Sequence, residues 1–305
     1  VVWLRQTAPL RFEAVPLVSG IPRTADAQAA DFDGDSDLDL IVASFGFHTR
    51  GGVVLYENRT TDWKRPSFVA RTLDARPGAI HVPVADLDRD GRPDFVALVS
   101  QQYEHVVAFF NRGGLGFRTE TLFQAVTPVW GSSGIQLVDM DGDGDLDLLM
   151  TNGDSLDDFT IRPFHGIRWF ENAGGFPWQQ HDLALMPGAH RAQAGDLDGD
   201  GDVDVAAAAF LPNAEHPAAQ KLGRQGDLLA LTSLGWLEQT ARGVFVPHAL
   251  ERGRFTHATL DLGDVDGDGD LDLVTGNFVG SGFVVRETAA QPEAPVELWL
   301  HPGRR

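Results

Sequence analysis

The chain of 305 residues is 43% hydrophobic, enough to exclude general disorder and to build a large core or a repeat array. It has no cysteine, which excludes disulfides, thiolate metal sites and covalently attached c-type haem. A formal charge of −20 argues against nucleic acid and anionic membrane as partners and permits a basic one.

The chain opens on Val1-Val2-Trp3 with neither an initiator methionine nor a signal peptide, as a processed or trimmed N-terminus would. Val2 to Gln6 and Phe12 to Val18 read as the third and fourth strands of a unit. An Asp/Gly stretch then begins at Asp31, and the same nine-residue pattern begins again at Asp86, Asp139, Asp196 and Asp264. Carboxylates stand at positions 1, 3, 5 and 9 of every copy: Asp31, Asp33, Asp35 and Asp39; Asp86, Asp88, Asp90 and Asp94; Asp139, Asp141, Asp143 and Asp147; Asp196, Asp198, Asp200 and Asp204; Asp264, Asp266, Asp268 and Asp272.

Each acidic stretch leads into a short apolar strand: Leu38 to Val42, Phe95 to Leu98, Leu146 to Met150, Val203 to Ala207 and Leu271 to Val274. An aromatic strand ending in Asn or Gln follows at Val53 to Asn58, Val106 to Asn111, Ile167 to Asn172 and Leu234 to Gln239. Turn residues such as Gly113-Gly114 and Gly174-Gly175 separate it from a fourth strand. The unit is a four-stranded meander recurring at intervals of about 53–68 residues, which is the period of a propeller blade. A lone meander leaves an apolar face bare, so neighbours must stack, and a ring of them leaves no long edge open.

The expected fold is therefore all-β, a single β-propeller domain over residues 1–305. Five four-stranded blades are expected, with six or seven including degenerate ones as the alternative. Val296 to His301 reads as a third strand lacking a fourth, so the N-terminal strand is expected to complete the last blade by strand exchange. No apolar run approaches the roughly 18 residues of a membrane span, and no transmembrane segment is expected.

Four carboxylates within nine residues repel one another unless a cation neutralises them. Calcium accepts six to eight oxygens in a flexible shell, whereas magnesium demands stricter octahedral geometry and retained waters, so Ca²⁺ is expected in up to five sites. Position 7 reads Asp37, Arg92, Asp145, Asp202 and Asp270. Since Arg92 offers no side-chain oxygen, position 7 is expected to contribute its backbone carbonyl. Position 6 is Gly91, Gly144, Gly201 or Gly269 in four copies, as a turn with positive φ requires, and Ser36 in the first, where strain is expected. An EF-hand is rejected, because position 12 holds Val42, Ala97, Met150, Ala207 or Thr275 in place of Glu. An ordinary solvated turn is the competing reading for any single copy.

His81, His190 and His257 precede three of the motifs by five to seven residues and are candidates to converge on a transition metal or an anion; polar lining of a wet channel is the alternative. Trp3, Trp169, Trp236 and Trp299 share one strand position and are expected in the packing between units. Trp63, Trp130 and Trp178 fall outside that register and could stack on a sugar if exposed. Two long connections, Asn152 to His165 and Phe210 to Leu229, are further candidates for binding. No nucleophile elbow, phosphate loop, zincin helix or dinucleotide fingerprint occurs, so a non-enzymatic role is expected.

The Asp-x-Asp-Gly-Asp-Gly-Asp-x-Asp loop, the apolar strand after it and the downstream Trp-Phe-Glu-Asn of Trp169 to Asn172 resemble the FG-GAP/VCBS-type repeats of bacterial secreted proteins, which are related to the propeller of integrin alpha subunits. The resemblance spans about Trp3 to Trp299. It implies a calcium ion in the loop between the first and second strands of each blade, held by the aspartates above and the carbonyl at position 7; Ser36 and Arg89 depart from its glycines. The family does not fix function; an extracytoplasmic setting, periplasmic, cell-surface or secreted, is expected because weak calcium-loop sites fill only where calcium is abundant, and a binding or assembly role is the preferred expectation. The expected partner is a basic soluble protein or the exterior face of a membrane or electron-transfer complex. A carbohydrate-binding propeller and a polysaccharide lyase or hydrolase are the alternatives.

Overall fold

The structure, a computed structural model, describes residues 1–47, 50–156, 160–211, 228–278 and 294–301. All the strands found there pair antiparallel, and they form six sheets. The first is a two-stranded ribbon of β1 (Val2–Ala8) and β2 (Arg11–Pro16). The second runs in order through β3 (Thr24–Ala30), β4 (Asp39–Phe47), β5 (Arg50–Asn58) and β6 (Phe68–Asp74). In the third, β7 (Ala79–His81) and β8 (Val84–Ala85) both pair with β9 (Asp94–Val99), which is followed by β10 (His105–Asn111) and β11 (Phe117–Gln124). The break between β7 and β8 falls at Pro83, which has no N–H to give to a ladder.

The fourth sheet orders β12 (Ser132–Val138), β13 (Asp147–Asn152), β14 (Gly166–Glu171) and β15 (Gln179–Leu185). The fifth orders β16 (Ala189–Gly195), β17 (Asp204–Ala209), β18 (Thr232–Ala241) and β19 (Val244–Arg252). The sixth has three strands among the described residues, β20 (His257–Gly263), β21 (Asp272–Asn277) and β22 (Val296–Trp299).

The closed β-propeller expected from the sequence, in five blades or in six or seven, is corrected by this arrangement. Among the described residues the six sheets are separate: none is closed, no strand is shared and no ladder joins one sheet to another. Strand β1 pairs with β2, from Val2 opposite Pro16 to Ala8 opposite Arg11, and does not complete the sixth sheet by strand exchange. The physical error lies in the step from stacking to a ring. A bare apolar face requires a neighbour, and side chains passing from one sheet to the next supply that cover without closure.

The chain divides into two compact units, Val1–Pro128 and Val129–Arg305. In the first, Ile41, Val53 and Leu55 of the second sheet pack with Phe95, Ala97 and Phe109 of the third. In the other, Leu149 and Trp169 of the fourth sheet pack with Val205, Ala207 and Leu237 of the fifth, while Ala206, Ala208 and Leu234 on the opposite face meet Leu260 and Leu273 of the sixth. The central strands β9, β13 and β17 are buried along their whole length, which explains why they read as continuous apolar runs and not as alternating ones.

Candidate metal centre

Each acidic stretch joins the first strand of a sheet to the second, and the aspartate at position 9 is the first residue of that second strand. The loops, numbered 1 to 5 in chain order, share one internal bonding scheme. The position 1 carboxylate accepts two backbone N–H groups from inside its loop: Gly34 and Ser36 donate to Asp31, Asp90 and Gly91 to Asp86, Gly142 and Gly144 to Asp139, Gly199 and Gly201 to Asp196, and Gly267 and Gly269 to Asp264. In all five loops the position 5 carboxylate accepts the N–H of position 7. Such Asx-type turns curl the backbone and bring carboxylates together.

The outcome is five groups of three carboxylates whose nearest oxygens lie within 4.8 Å of one another. They are Asp31, Asp33 and Asp39; Asp86, Asp88 and Asp90; Asp139, Asp141 and Asp143; Asp196, Asp198 and Asp204; and Asp264, Asp266 and Asp272. Positions 1 and 3 enter every cluster, whereas the third member is position 9 in loops 1, 4 and 5 and position 5 in loops 2 and 3. Such clusters can chelate a divalent ion. The expectation of a calcium-binding propeller is corrected to this coarser finding, since three convergent carboxylates do not distinguish calcium from other hard cations.

Position 9 has a second role that reading it as a ligand missed. Its two oxygens each accept a backbone N–H, one from position 2 of the same loop and one from the end of the third strand or just beyond it. The pairs are Phe32 and Asn58 on Asp39, Leu87 and Asn111 on Asp94, Met140 and Asn172 on Asp147, Leu197 and Gln239 on Asp204, and Val265 and His301 on Asp272, all at 2.6–3.1 Å. Burial raises the Asp39, Asp94, Asp147 and Asp204 carboxyls above the ordinary carboxylate range, to about 6 for Asp147, with the N–H donors pulling the other way. For Asp272 the donors prevail, the N–H of His301 first, and its carboxyl lies below that range. The signal was present in the Asn or Gln that ends each aromatic strand. These side chains also fasten the loop, as where Asn58 Nδ2 donates to the Leu38 carbonyl and Gln239 Nε2 to that of Val203.

Two left-handed positions shape each loop, one at position 4 and one at position 6. Glycine fills most of them, but Ser36 has φ 75° and Arg89 has φ 56°. A non-glycine residue in this region costs about 1–2 kcal/mol, partly offset by the lower chain entropy it brings to the unfolded state. Ser36→Gly is therefore expected to raise unfolding free energy by about 0.5–1 kcal/mol, measured by urea denaturation. No gain would mean that Ser36 is relaxed by contacts of its own.

The histidines sit elsewhere. His81 Nδ1 lies 4.0 Å from Asp26, and His190 Nδ1 is 2.8 Å from the Ala258 carbonyl. The buried His257 lies between Asn277 Oδ1 and Glu251 Oε2, at 2.7 and 2.8 Å. Among the described residues, no metal-capable group contains a histidine. Of the tryptophans outside the repeat register, Trp178 is buried, while Trp130 stacks on Phe164 at 4.7 Å and lies under the Arg168 guanidinium. Trp63 is 48% exposed and meets Trp3 edge-on at 5.4 Å. Of the two long connections, residues 157–159 and 212–227, with Asp157, Asp158, His216, Lys221 and Arg224, lie outside the described residues.

No helix among the described residues is long and apolar enough to cross a membrane. No curated protein sequence matches the chain. Among solved structures, the crystal structure of the biofilm matrix protein Bap1 of V. cholerae is similar at 18% identity and a TM-score of 0.45; the match covers 84% of this chain and 34% of that one. The FG-GAP-like repeat matches at residues 31–97, 86–150 and 151–207. The first two segments each run from one acidic loop to the strand beyond the next, and together the three span more than half of the sequence. The propeller that the resemblance implied is set aside by the six unclosed sheets, but the repeat itself is not: the chain belongs to the FG-GAP-like repeat family.

Proposed function

We propose that this chain is an extracytoplasmic binding scaffold whose acidic loops hold calcium and whose task is to dock another protein. The observation that carries the reading is the convergence of three carboxylates within 4.8 Å, built five times by the same backbone scheme. In each loop the remaining aspartates and the carbonyl at position 7 would complete the shell. Calcium fits better than magnesium because the loops present many acidic oxygens on curled backbone and no rigid octahedron. Weak loop sites of this kind, with dissociation constants of about 10⁻⁴–10⁻³ M, fill where calcium is abundant, which favours a location outside the cytoplasm.

The docking role is supported by charge. Five divalent ions would offset half of the formal −20, leaving an acidic surface that steers a basic protein toward it. The carboxylates that cluster are occupied in bracing their own loops, which suits a structural task better than acid–base catalysis.

The test is thermal unfolding of the full chain after exhaustive chelation and again on calcium return. Calcium at a hundred times the dissociation constant should add about 2.7 kcal/mol per filled site, and magnesium at the same concentration clearly less. A melting temperature indifferent to the chelator would defeat the proposal.

A further inference from the structure

The five loops are not equivalent in charge. Loops 1, 3, 4 and 5 each hold five aspartates and no cation in nine residues, whereas loop 2 holds four aspartates with Arg89 and Arg92. The structure turns this difference into contacts. Arg92 pairs with Asp90, and its Nε donates to the Asn111 carbonyl at 2.9 Å. Arg112, just beyond that asparagine, places Nη1 3.3 Å from Asp88 and 3.8 Å from Asp90. Two of the three carboxylates of the loop 2 cluster are thus already engaged by guanidinium groups.

We infer that loop 2 is neutralised by its own arginines and stays free of metal at calcium concentrations that fill other loops. This inference deepens the cation reading and rests on it. A calcium ion entering loop 2 would meet a smaller negative charge and would have to displace Arg92 and Arg112 from Asp88 and Asp90. Position 7 is also altered, since the residue whose carbonyl a cation would need carries a positive side chain paired with Asp90. The third sheet should accordingly keep its first hairpin closed whether or not calcium is present. Loop 3 differs again: Arg242, reaching over from the fifth sheet, pairs with Asp141 at 2.7 Å, but this guanidinium is largely exposed and holds one cluster carboxylate closely.

The experiment counts calcium per full chain by equilibrium dialysis at about 1 mM free ion, for the wild type and for an Arg92→Asp, Arg112→Ala double variant that gives the loop a fifth aspartate and removes both guanidinium groups paired with Asp88 and Asp90, leaving Arg89 in place. Fewer than five ions in the wild type, with one gained in the variant, is the expected result. Five in the wild type, or no gain in the variant, overturns the inference. No ion in either protein overturns the cation reading beneath it, which separates the two failures. Hydrogen exchange of the wild type gives a readout that does not depend on the variant folding. Chelation should leave the Leu87 and Asn111 amides, which donate to Asp94, as protected as before, while the Phe32 and Asn58 amides on Asp39 lose protection. Equal loss at both pairs would refute the arginine-neutralised loop.

Discussion

Asp94→Ala is expected to lower unfolding free energy by about 2–5 kcal/mol, and to do so equally with chelator and with calcium. Asp94 is fully buried, and its carboxylate accepts the Leu87 N–H at 2.9 Å and the Asn111 N–H at 2.6 Å. Alanine leaves both donors unsatisfied inside the protein, at about 1–3 kcal/mol each. Part of that loss is returned, because burial has raised the Asp94 carboxyl and the charge no longer has to be held away from water. Asp94→Asn is expected to remain well short of wild type, since an amide has one oxygen to offer two converging N–H groups and sets its own donors against one of them. The contrast is Asp88→Ala in the same loop. Asp88 is exposed and its pair with Arg112, at 3.3 Å, lies at the surface, so its removal should cost less than about 1 kcal/mol. Chemical denaturation of the three variants decides the matter: a cost for Asp94→Ala no larger than that for Asp88→Ala would show that position 9 does not fasten the repeat.

That comparison also marks what the sequence could and could not show. Spacing of Asp at 1, 3, 5 and 9 located all five loops and placed them between strands, because four like charges in nine residues have few physical explanations. Spacing could not show that position 9, a cluster member in loops 1, 4 and 5, also takes two backbone N–H groups in every loop, since both roles use the same side chain. The clue lay some 17 to 35 residues away, in Asn58, Asn111, Asn172 and Gln239, whose backbone N–H groups complete the arrangement. The strands were legible from their apolar runs, but the relation between sheets was not. Inferring a ring treated exposed edges and bare faces as a problem with one solution. The two-stranded β1–β2 ribbon, with Val2, Leu4, Leu10 and Phe12 all exposed, shows that the fold does not seal every apolar surface within the chain. For Trp178 the condition on sugar stacking is not met: it is buried, with Phe176 stacked nearby.

Phe32→Ala is expected to cost about 3–5 kcal/mol, as much as the loss of a position 9 aspartate, although the Phe32 side chain offers no oxygen to an ion. It stands at position 2 of loop 1, between two cluster aspartates, and is 1% exposed. Its ring projects out of the second sheet into the third, edge-on to Phe95 at 6.1 Å and to Phe117 at 5.9 Å, where Phe95 in turn stacks on Phe109 at 4.4 Å. Its backbone is held from both sides: the N–H donates to Asp39, and the carbonyl accepts Nδ2 of Asn111 from the third sheet at 2.8 Å. One residue therefore couples the shape of an acidic loop to the core between two sheets. The same position is apolar in the other loops, and Met140 repeats the pattern, buried in the core of the fourth and fifth sheets with its carbonyl accepting from Gln239. Val265, the equivalent in loop 5, is 54% exposed, so Val265→Ala should change stability by no more than about 0.5 kcal/mol. If loop geometry and sheet packing are one cooperative system, Phe32→Ala lowers the melting temperature of the full chain and also weakens calcium uptake by loop 1. A variant that lost stability while retaining unaltered uptake would show instead that the aromatic cluster and the acidic loop act independently.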